Sequence, residues 1–189
     1  MGYEANNARA TGKHTEAVAA RYLNEAGYLA AKPQGRDSGI DLVIREKATG
    51  RIATAQVKGR GQAANPRWFQ VSISPNQVEM AWNAGRLDQA WTNKILQTDF
   101  WLLISIPLDE IWVIPSPVVL DIARANEAIY GSRLDNRYDS LQYDSRGRVA
   151  KKQKELNLDI VVHGKPLWSQ LVPYRNTTDA LRKWMATKT

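Results

Sequence analysis

The stretch IDLVIREKATGRIATAQVK, residues 40–58, decides the fold because it has the pattern of two strands joined by a turn. Apolar and polar residues alternate in its first part, Ile40–Glu46, and again in its second part, Arg51–Lys58. A period of two residues is typical of a strand with one buried face. The residues between the two parts, Ala-Thr-Gly at 48–50, favour a turn. We therefore expect a β-hairpin.

Helical and strand patterns continue on both sides of this hairpin. Upstream, Lys13–Gly27 has apolar residues at helical spacing and a final glycine, and Tyr28–Lys32 is a short strand candidate. Downstream, Arg67–Ile73 alternates like a third strand, and a helix is predicted to begin at Ser74, which Pro75 follows. Apart from the short candidate Tyr28–Lys32, the predicted order is therefore a helix, three strands and a second helix.

The continuously apolar run Asp99–Pro107 predicts a strand that is buried on both faces of a sheet. Glu110–Ser116 follows as its hairpin partner or neighbour. The remaining patterns are weaker and predict a helix at residues 117–130, a polar loop or hairpin at 131–156, a strand at Leu158–Gly164 and a helix at Thr177–Lys188. This alternation predicts an α/β fold with a mixed sheet and helices on both faces.

The composition fits one domain over residues 1–189 whose charge attracts polyanions. The chain has 26 Lys and Arg against 19 Asp and Glu, a net charge of +7, so nucleic acid is the first partner to consider. A basic but otherwise ordinary enzyme is the alternative. Cys is absent and the histidines are His14 and His163, so any metal must be held mainly by oxygen. Without a long apolar run or a leader, we expect a soluble, cytoplasmic protein with no membrane span.

Three side chains of the hairpin carry the predicted chemistry. Asp41 lies in an otherwise apolar strand, where a carboxylate is costly to bury unless it is paired or binds a metal. Gln56 and Lys58 are two residues apart and share one face of the next strand. A hard divalent cation such as Mg²⁺ suits oxygen ligands from Asp41, Gln56 and the backbone carbonyl of Val57. Glu16 of the first helix is a further candidate, which would reach the same metal through water.

Phosphodiester hydrolysis needs the groups that this set provides. A metal polarises the phosphoryl oxygen and acidifies water, and a nearby cation orients that water or stabilises the transition state. Lys58 fits the second role, and a role as general base is also open to it. Asp37 and Glu46 are rival ligands of lower rank, because they lie in a turn and at a strand end.

These motifs resemble those of the PD-(D/E)xK restriction-endonuclease-like nucleases. The similarity lies in GID at residues 39–41, in QVK at residues 56–58, and in a preceding helix that carries Glu16 and ends at Gly27. It is closest to archaeal Holliday-junction resolvases and to Mrr-type or Type II restriction nucleases. It covers residues 12–115.

The resemblance implies a core of order α-β-β-β-α-β, followed by a C-terminal α/β elaboration at residues 116–189. It implies a Mg²⁺-dependent endodeoxyribonuclease in which Mn²⁺ substitutes for Mg²⁺, and a homodimer that cuts double-stranded DNA with one active site for each strand. In the family, one acid binds the metal, a second acid ligates it and a lysine acts on water. Those roles fall on Asp41, Gln56 and Lys58. Glu16 would be the helix carboxylate.

Two positions depart from the family pattern. Ile40 stands where the motif has Pro, a residue that performs no chemistry. Gln56 stands where the motif has an acid, so the site lacks one negative charge and its metal affinity should be lower. Four functions stay open: a restriction-type endonuclease, favoured because the C-terminal elaboration offers residues for target recognition; a junction resolvase; a non-catalytic DNA-binding module; and an RNA- or protein-interaction domain.

The candidate DNA contacts are basic residues near the site and in the C-terminal elaboration. Phosphate binding is their expected role, and a solvated run of charge is the alternative. They are Lys13, Arg36, Arg60 and Arg67 near the site, and Arg146, Arg148, Lys151, Lys152 and Lys154 in the elaboration. Among the tryptophans, Trp82, Trp101, Trp112 and Trp184 are predicted core residues, whereas Trp68 and Trp168 are candidates for base stacking.

Overall fold

The computed structural model describes residues 2–34, 39–61, 66–67, 69–73, 87–130, 156–161 and 166–188. Within these ranges the α-helices are α1 (Gly2–Glu25), α2 (Leu87–Ile95), α3 (Ser116–Tyr130) and α4 (Asp179–Thr187). The strands are β1 (Tyr28–Ala31), β2 (Leu42–Glu46), β3 (Ile52–Arg60), β4 (Phe69–Ile73), β5 (Phe100–Ser105), β6 (Glu110–Pro115) and β7 (Leu156–Val161). Short 3₁₀ helices span Ile106–Leu108 and Pro166–Tyr174. No helix in these ranges has an apolar stretch long enough to cross a membrane.

Five strands form one mixed sheet in the order β1-β2-β3-β5-β6. Antiparallel pairing joins β1 to β2, β2 to β3, and β5 to β6, whereas β3 and β5 run parallel. The predicted hairpin is confirmed as β2 and β3, and the apolar run predicted to be buried on both faces is β5. Helices flank this sheet, so the predicted α/β class with a central mixed sheet is confirmed.

Strand β4 pairs with β7 in a separate two-stranded antiparallel sheet. The strand predicted at Arg67–Ile73 is therefore present, but its partner comes from the C-terminal part of the chain. Strand β7 begins at Leu156, slightly before its predicted start. The predicted end of that strand, at residues 162–164, and most of the predicted polar loop, residues 131–155, lie outside the described residues.

One face of the main sheet packs against α1 and α4. Leu23 of α1 is fully buried in a cluster with apolar residues of β2, β3 and β5. Leu181 and Met185 of α4 complete this cluster and Trp184 packs against it, which confirms the inward face predicted for the C-terminal helix. Each large apolar side chain buried in this way stabilises the fold by about 1.5–3 kcal/mol.

The opposite face of the sheet is buried at β5 and β6, where α3 packs. Trp101 of β5 and Trp112 of β6 are buried there, as predicted for core residues. On β3 the residues that alternate with the buried ones are only half-buried, and these include Gln56 and Lys58. The candidate site therefore lies on a part of the sheet that the described residues leave accessible.

Some helices differ from the predictions. Helix α1 begins at Gly2, well before the predicted Lys13. Helix α2 was not predicted, although Leu87, Trp91 and Ile95 recur every four residues. Its last turn is held by Trp101, whose Nε1 donates to the carbonyl of Ile95 at 3.0 Å. The helix predicted to begin at Ser74, with Trp82, lies outside the described residues, as does Trp68.

Candidate active site

Asp41 lies directly before β2, at the end of the ladder between β2 and β3. Its N–H donates to the carbonyl of Ala55 at 2.9 Å, which extends the ladder beyond the pair formed by Leu42 and Ala55. One step further in the antiparallel register, Asp41 faces Gln56. The hairpin thus brings together the two residues that the sequence predicts to converge.

Two donors of β3 bind the same carboxylate oxygen of Asp41. The backbone N–H of Val57 donates to Oδ2 at 2.8 Å, and Nε2 of Gln56 donates to Oδ2 as well. The nitrogen of the Gln56 amide therefore faces the carboxylate. A half-turn of the amide exchanges its nitrogen and oxygen, so the same side chain can offer a donor to Asp41 or an acceptor to a cation.

The ionised form of Asp41 is disfavoured in this position. Burial raises the pKa of Asp41 above its ordinary value and is the largest effect. The N–H of Val57 lowers this pKa, whereas the negative charge of Glu16 raises it further. The positive charges of Lys58 and Lys32 lower it. Because the net shift is upward, a cation placed beside Asp41 would stabilise its charged form.

Glu16 reaches the site because α1 lies directly on β3. The neighbouring Thr15 is buried, and its hydroxyl bonds at 3.0 Å to the carbonyls of Thr11 and Gly12, within α1. A Cβ atom added to Gly59 of β3 would overlap the side chain of Thr15. The absence of a side chain at Gly59 is therefore what lets the helix approach closely enough to bring Glu16 to the sheet.

Lys32 is a member of the site that the sequence analysis missed. It follows β1 and forms an ion pair with Oε2 of Glu16, an oxygen buried at the inner side of α1. The register of β1 on β2 pairs Ala31 with Val43, so Lys32 lies close to the end of β2 that carries Asp41. Both strands were predicted from the sequence, but their pairing was not, and this pairing is what places Lys32 near Asp41.

The side chains around Asp41 include oxygen donors that could hold a hard divalent cation. We call the following residues the Asp41 cluster: Glu16, Lys32, Asp41, Gln56 and Lys58. Its side-chain oxygen donors are two carboxylates and one amide, the ligand type that Mg²⁺ and Mn²⁺ prefer, and a ligand role for the carbonyl of Val57 stays a prediction. No three His, Cys, Asp or Glu side chains converge in the part of the chain that the structure describes. The amide of Gln56 would therefore have to serve as the third side-chain oxygen.

Two of the predicted DNA contacts lie at the same end of the molecule as the Asp41 cluster. Thr11 of α1 packs near Gly61, just after β3, so Lys13 and Arg60 are close to the end of β3 that carries Lys58. Lys13 is exposed and Arg60 is half-buried. Six further candidates lie outside the described residues: Arg36, Arg146, Arg148, Lys151, Lys152 and Lys154.

Arg67, also predicted to contact DNA, is engaged in an ion pair. Its Nε and Nη2 atoms donate to the two carboxylate oxygens of Glu110 at 2.7 and 2.6 Å, and Arg175 adds a third contact at 3.2 Å. We call Arg67, Glu110 and Arg175 the Glu110 cluster. DNA contact by Arg67 stays a prediction, and any phosphate would have to compete with Glu110 for its guanidinium.

Of the two rival ligands, Glu46 has no part in the described site. Glu46 lies at the other end of β2 from Asp41, where its carboxylate accepts a hydrogen bond from the Thr49 hydroxyl in the hairpin turn. Asp37 lies outside the described residues.

Comparisons with known proteins add little to this geometry. No family model matches the chain, and no curated protein matches it. Among solved structures, a bacterial homing endonuclease, I-Ssp6803I, is similar with a TM-score of 0.48 and 14% sequence identity, over 96% of this chain and 97% of that chain. A likeness of this degree carries no argument about function, so the functional assignment rests on the Asp41 cluster.

Proposed function

We propose that this protein is a metal-dependent endodeoxyribonuclease and that the Asp41 cluster is its active centre. The observation that carries the proposal is the convergence of Asp41, Gln56 and Lys58 at one end of the β2–β3 pair, with Glu16 brought to the same place by α1. Metal-assisted phosphodiester hydrolysis requires carboxylate, amide and ammonium groups close together, and these groups meet at the end of the β2–β3 pair.

Each side chain has a role in this proposal. Asp41, Gln56 and Glu16 would hold Mg²⁺, or Mn²⁺ in its place, together with the carbonyl of Val57. The bound cation would supply polarisation of the phosphoryl oxygen and a more acidic water. Lys58 would orient the attacking water and stabilise negative charge that develops on the phosphate.

The proposed substrate is double-stranded DNA. A net charge of +7 attracts a polyanion, and Lys13 and Arg60 at the same end of β3 are suited to binding phosphates on either side of the cut. Within this proposal we favour a restriction-type enzyme that acts as a homodimer, because each strand of a duplex then meets one site. The segments that would read the target belong to the C-terminal residues 116–189.

The test is a cleavage assay with three substrates: supercoiled plasmid, linear duplex and a four-way junction. Each is incubated with Mg²⁺, Mn²⁺ or EDTA, and with wild-type protein, Lys58→Ala or Lys47→Ala. Lys47 is the control because its ammonium is exposed and binds the carbonyl of Asn24 at 3.2 Å, away from the site. We expect metal-dependent cleavage that falls by about 10²–10⁴-fold in Lys58→Ala and stays unchanged in Lys47→Ala.

The substrate pattern separates the alternatives. Discrete duplex fragments support the restriction-type enzyme, and cutting of the junction alone would make the protein a resolvase. DNA binding without cleavage in either metal would overturn the proposal in favour of a non-catalytic DNA-binding module. No DNA binding at low salt would leave an RNA- or protein-interaction domain.

A further inference from the structure

Lys32 places a positive charge where a divalent cation is expected. Its ammonium forms an ion pair with the buried Oε2 atom of Glu16, and its charge also acts on Asp41. The ammonium therefore already offsets part of the negative charge of the two carboxylates that would hold the metal.

A metal and this ammonium cannot share Glu16 without strong repulsion. A divalent cation held by Glu16 and Asp41 would lie within a few ångströms of any other cation on the same carboxylate, where like charges repel strongly in a partly buried site. One of the two has to move. The Lys32 side chain is 62% exposed, whereas that of Glu16 is only 20% exposed and belongs to a helix packed on the sheet. Lys32 is thus the group that is able to leave, because its long stem reaches solvent.

We propose that Lys32 is an internal counter-cation of the metal site, which the divalent cation must displace from Glu16 in order to bind. Lys32 then sets the metal affinity of the site. In the metal-free protein it prevents Glu16 and Asp41 from facing each other as two unbalanced charges. The inference rests on the proposed function, since it assumes that Asp41 and Glu16 hold a metal.

The experiment measures Mn²⁺ binding to the full chain in the absence of DNA. The two methods are isothermal titration calorimetry and electron paramagnetic resonance, in which the signal of free Mn²⁺ decreases as the ion binds. The variants are Lys32→Met, Lys47→Met and Asp41→Asn. Lys47→Met is the matched control, because it removes one positive charge from an exposed lysine outside the Asp41 cluster. We expect Lys32→Met to bind Mn²⁺ at least ~10-fold more tightly than the wild type, which corresponds to about 1.4 kcal/mol. Lys47→Met should bind like the wild type, and Asp41→Asn should lose binding.

The outcomes distinguish this inference from the proposed function. If Asp41→Asn loses Mn²⁺ binding but Lys32→Met binds no more tightly than Lys47→Met, the metal site stands and the displacement by Lys32 is wrong. If no protein binds Mn²⁺, or if Asp41→Asn binds as well as the wild type, both the metal site and the inference are wrong. Circular dichroism of each variant verifies that the fold is unchanged.

Discussion

Two partly buried carboxylates of this molecule, Asp41 and Glu110, have opposite electrostatic surroundings. The pKa of Glu110 is lowered, and its hydrogen bond with Arg67 is the largest cause. Burial raises this pKa, but the positive charges of Arg67 and Arg175 lower it further. The pKa of Asp41 is raised, first by burial, and Glu16 raises it further. Two arginines of the chain neutralise Glu110, whereas Lys58 and Lys32 only partly offset the effects of burial and of the second carboxylate on Asp41. A carboxylate whose pKa is raised by burial and by a neighbouring carboxylate is what a site for an external cation is expected to show.

The Glu110 cluster also has a clear structural task. It ties the segment before β4 and the segment after the second 3₁₀ helix to β6, the edge strand of the main sheet. Next to it, the N–H of Ile111 donates to Oδ1 of Asn176 at 2.9 Å, and the N–H of Asn176 donates to the carbonyl of Ile111 at 2.6 Å. These contacts cover an edge that would otherwise expose unpaired backbone groups.

Glu110→Gln should have the largest effect on stability. It weakens hydrogen bonds to charged partners, so we expect a loss of about 1.5–3 kcal/mol in the free energy of unfolding at pH 7. Because the pKa of Glu110 is lowered in the folded state, its contribution is present above the ordinary value of 4.5 and is lost as the pH falls through the folded value. Urea denaturation at neutral and acidic pH measures both effects.

The control for Glu110 is Glu25→Gln. Glu25 pairs with Arg21 at 3.9 Å on an exposed part of α1, where an ion pair contributes little. Equal losses in the two variants would contradict a structural role for the Glu110 cluster.

Gly59→Ala should come next, because it tests how α1 positions the Asp41 cluster. The added methyl group would overlap Thr15, and we expect a loss of about 1–3 kcal/mol together with weaker Mn²⁺ binding as Glu16 moves away. Gly12→Ala is the matched control: among the described residues its Cβ would meet no atom within 4 Å beyond the nearby backbone of α1, and alanine stabilises a helix interior by roughly 0.5–1 kcal/mol relative to glycine. Two variants of equal stability would contradict close packing of α1 on β3.

Asp41→Asn should have the smallest effect on stability, and in the opposite direction. The folded-state pKa of Asp41 is raised, so the stability that this group contributes is present below its ordinary value of 3.8 and is lost as the pH rises through the folded value. Asparagine removes the buried charge and keeps an acceptor for Val57. We therefore expect a higher Tm than that of the wild type at pH 7 without metal, with the difference vanishing in acid. A lower Tm at pH 7 would mean that the ionised carboxylate stabilises the fold.

The local elements of the fold followed from the sequence because their signals are local. The alternation in residues 40–58 predicted both strands of the hairpin and the convergence of Asp41 with Gln56, since a two-residue period fixes which side chains share a face. The apolar run Asp99–Pro107 likewise predicted a strand buried on both faces, and β5 confirms it.

Contacts between distant segments could not be predicted in this way. Strand β4 shows an ordinary strand pattern, but nothing within it indicates that its partner is β7 rather than a strand of the main sheet. The ion pair of Lys32 with Glu16 depends on how α1 lies across β1, and that of Arg67 with Glu110 joins segments far apart in sequence. Such pairs are set by tertiary packing, which a single sequence does not encode as a pattern.

The most direct test compares the two carboxylates in one assay of plasmid cleavage with Mg²⁺. Wild type, Asp41→Asn and Glu110→Gln are used at equal concentrations of folded protein, so that the stability change of Glu110→Gln does not enter the rate. We predict that Glu110→Gln retains metal-dependent cleavage and that Asp41→Asn does not cleave. Cleavage by Asp41→Asn at the wild-type rate would contradict the assignment of the Asp41 cluster as the active centre.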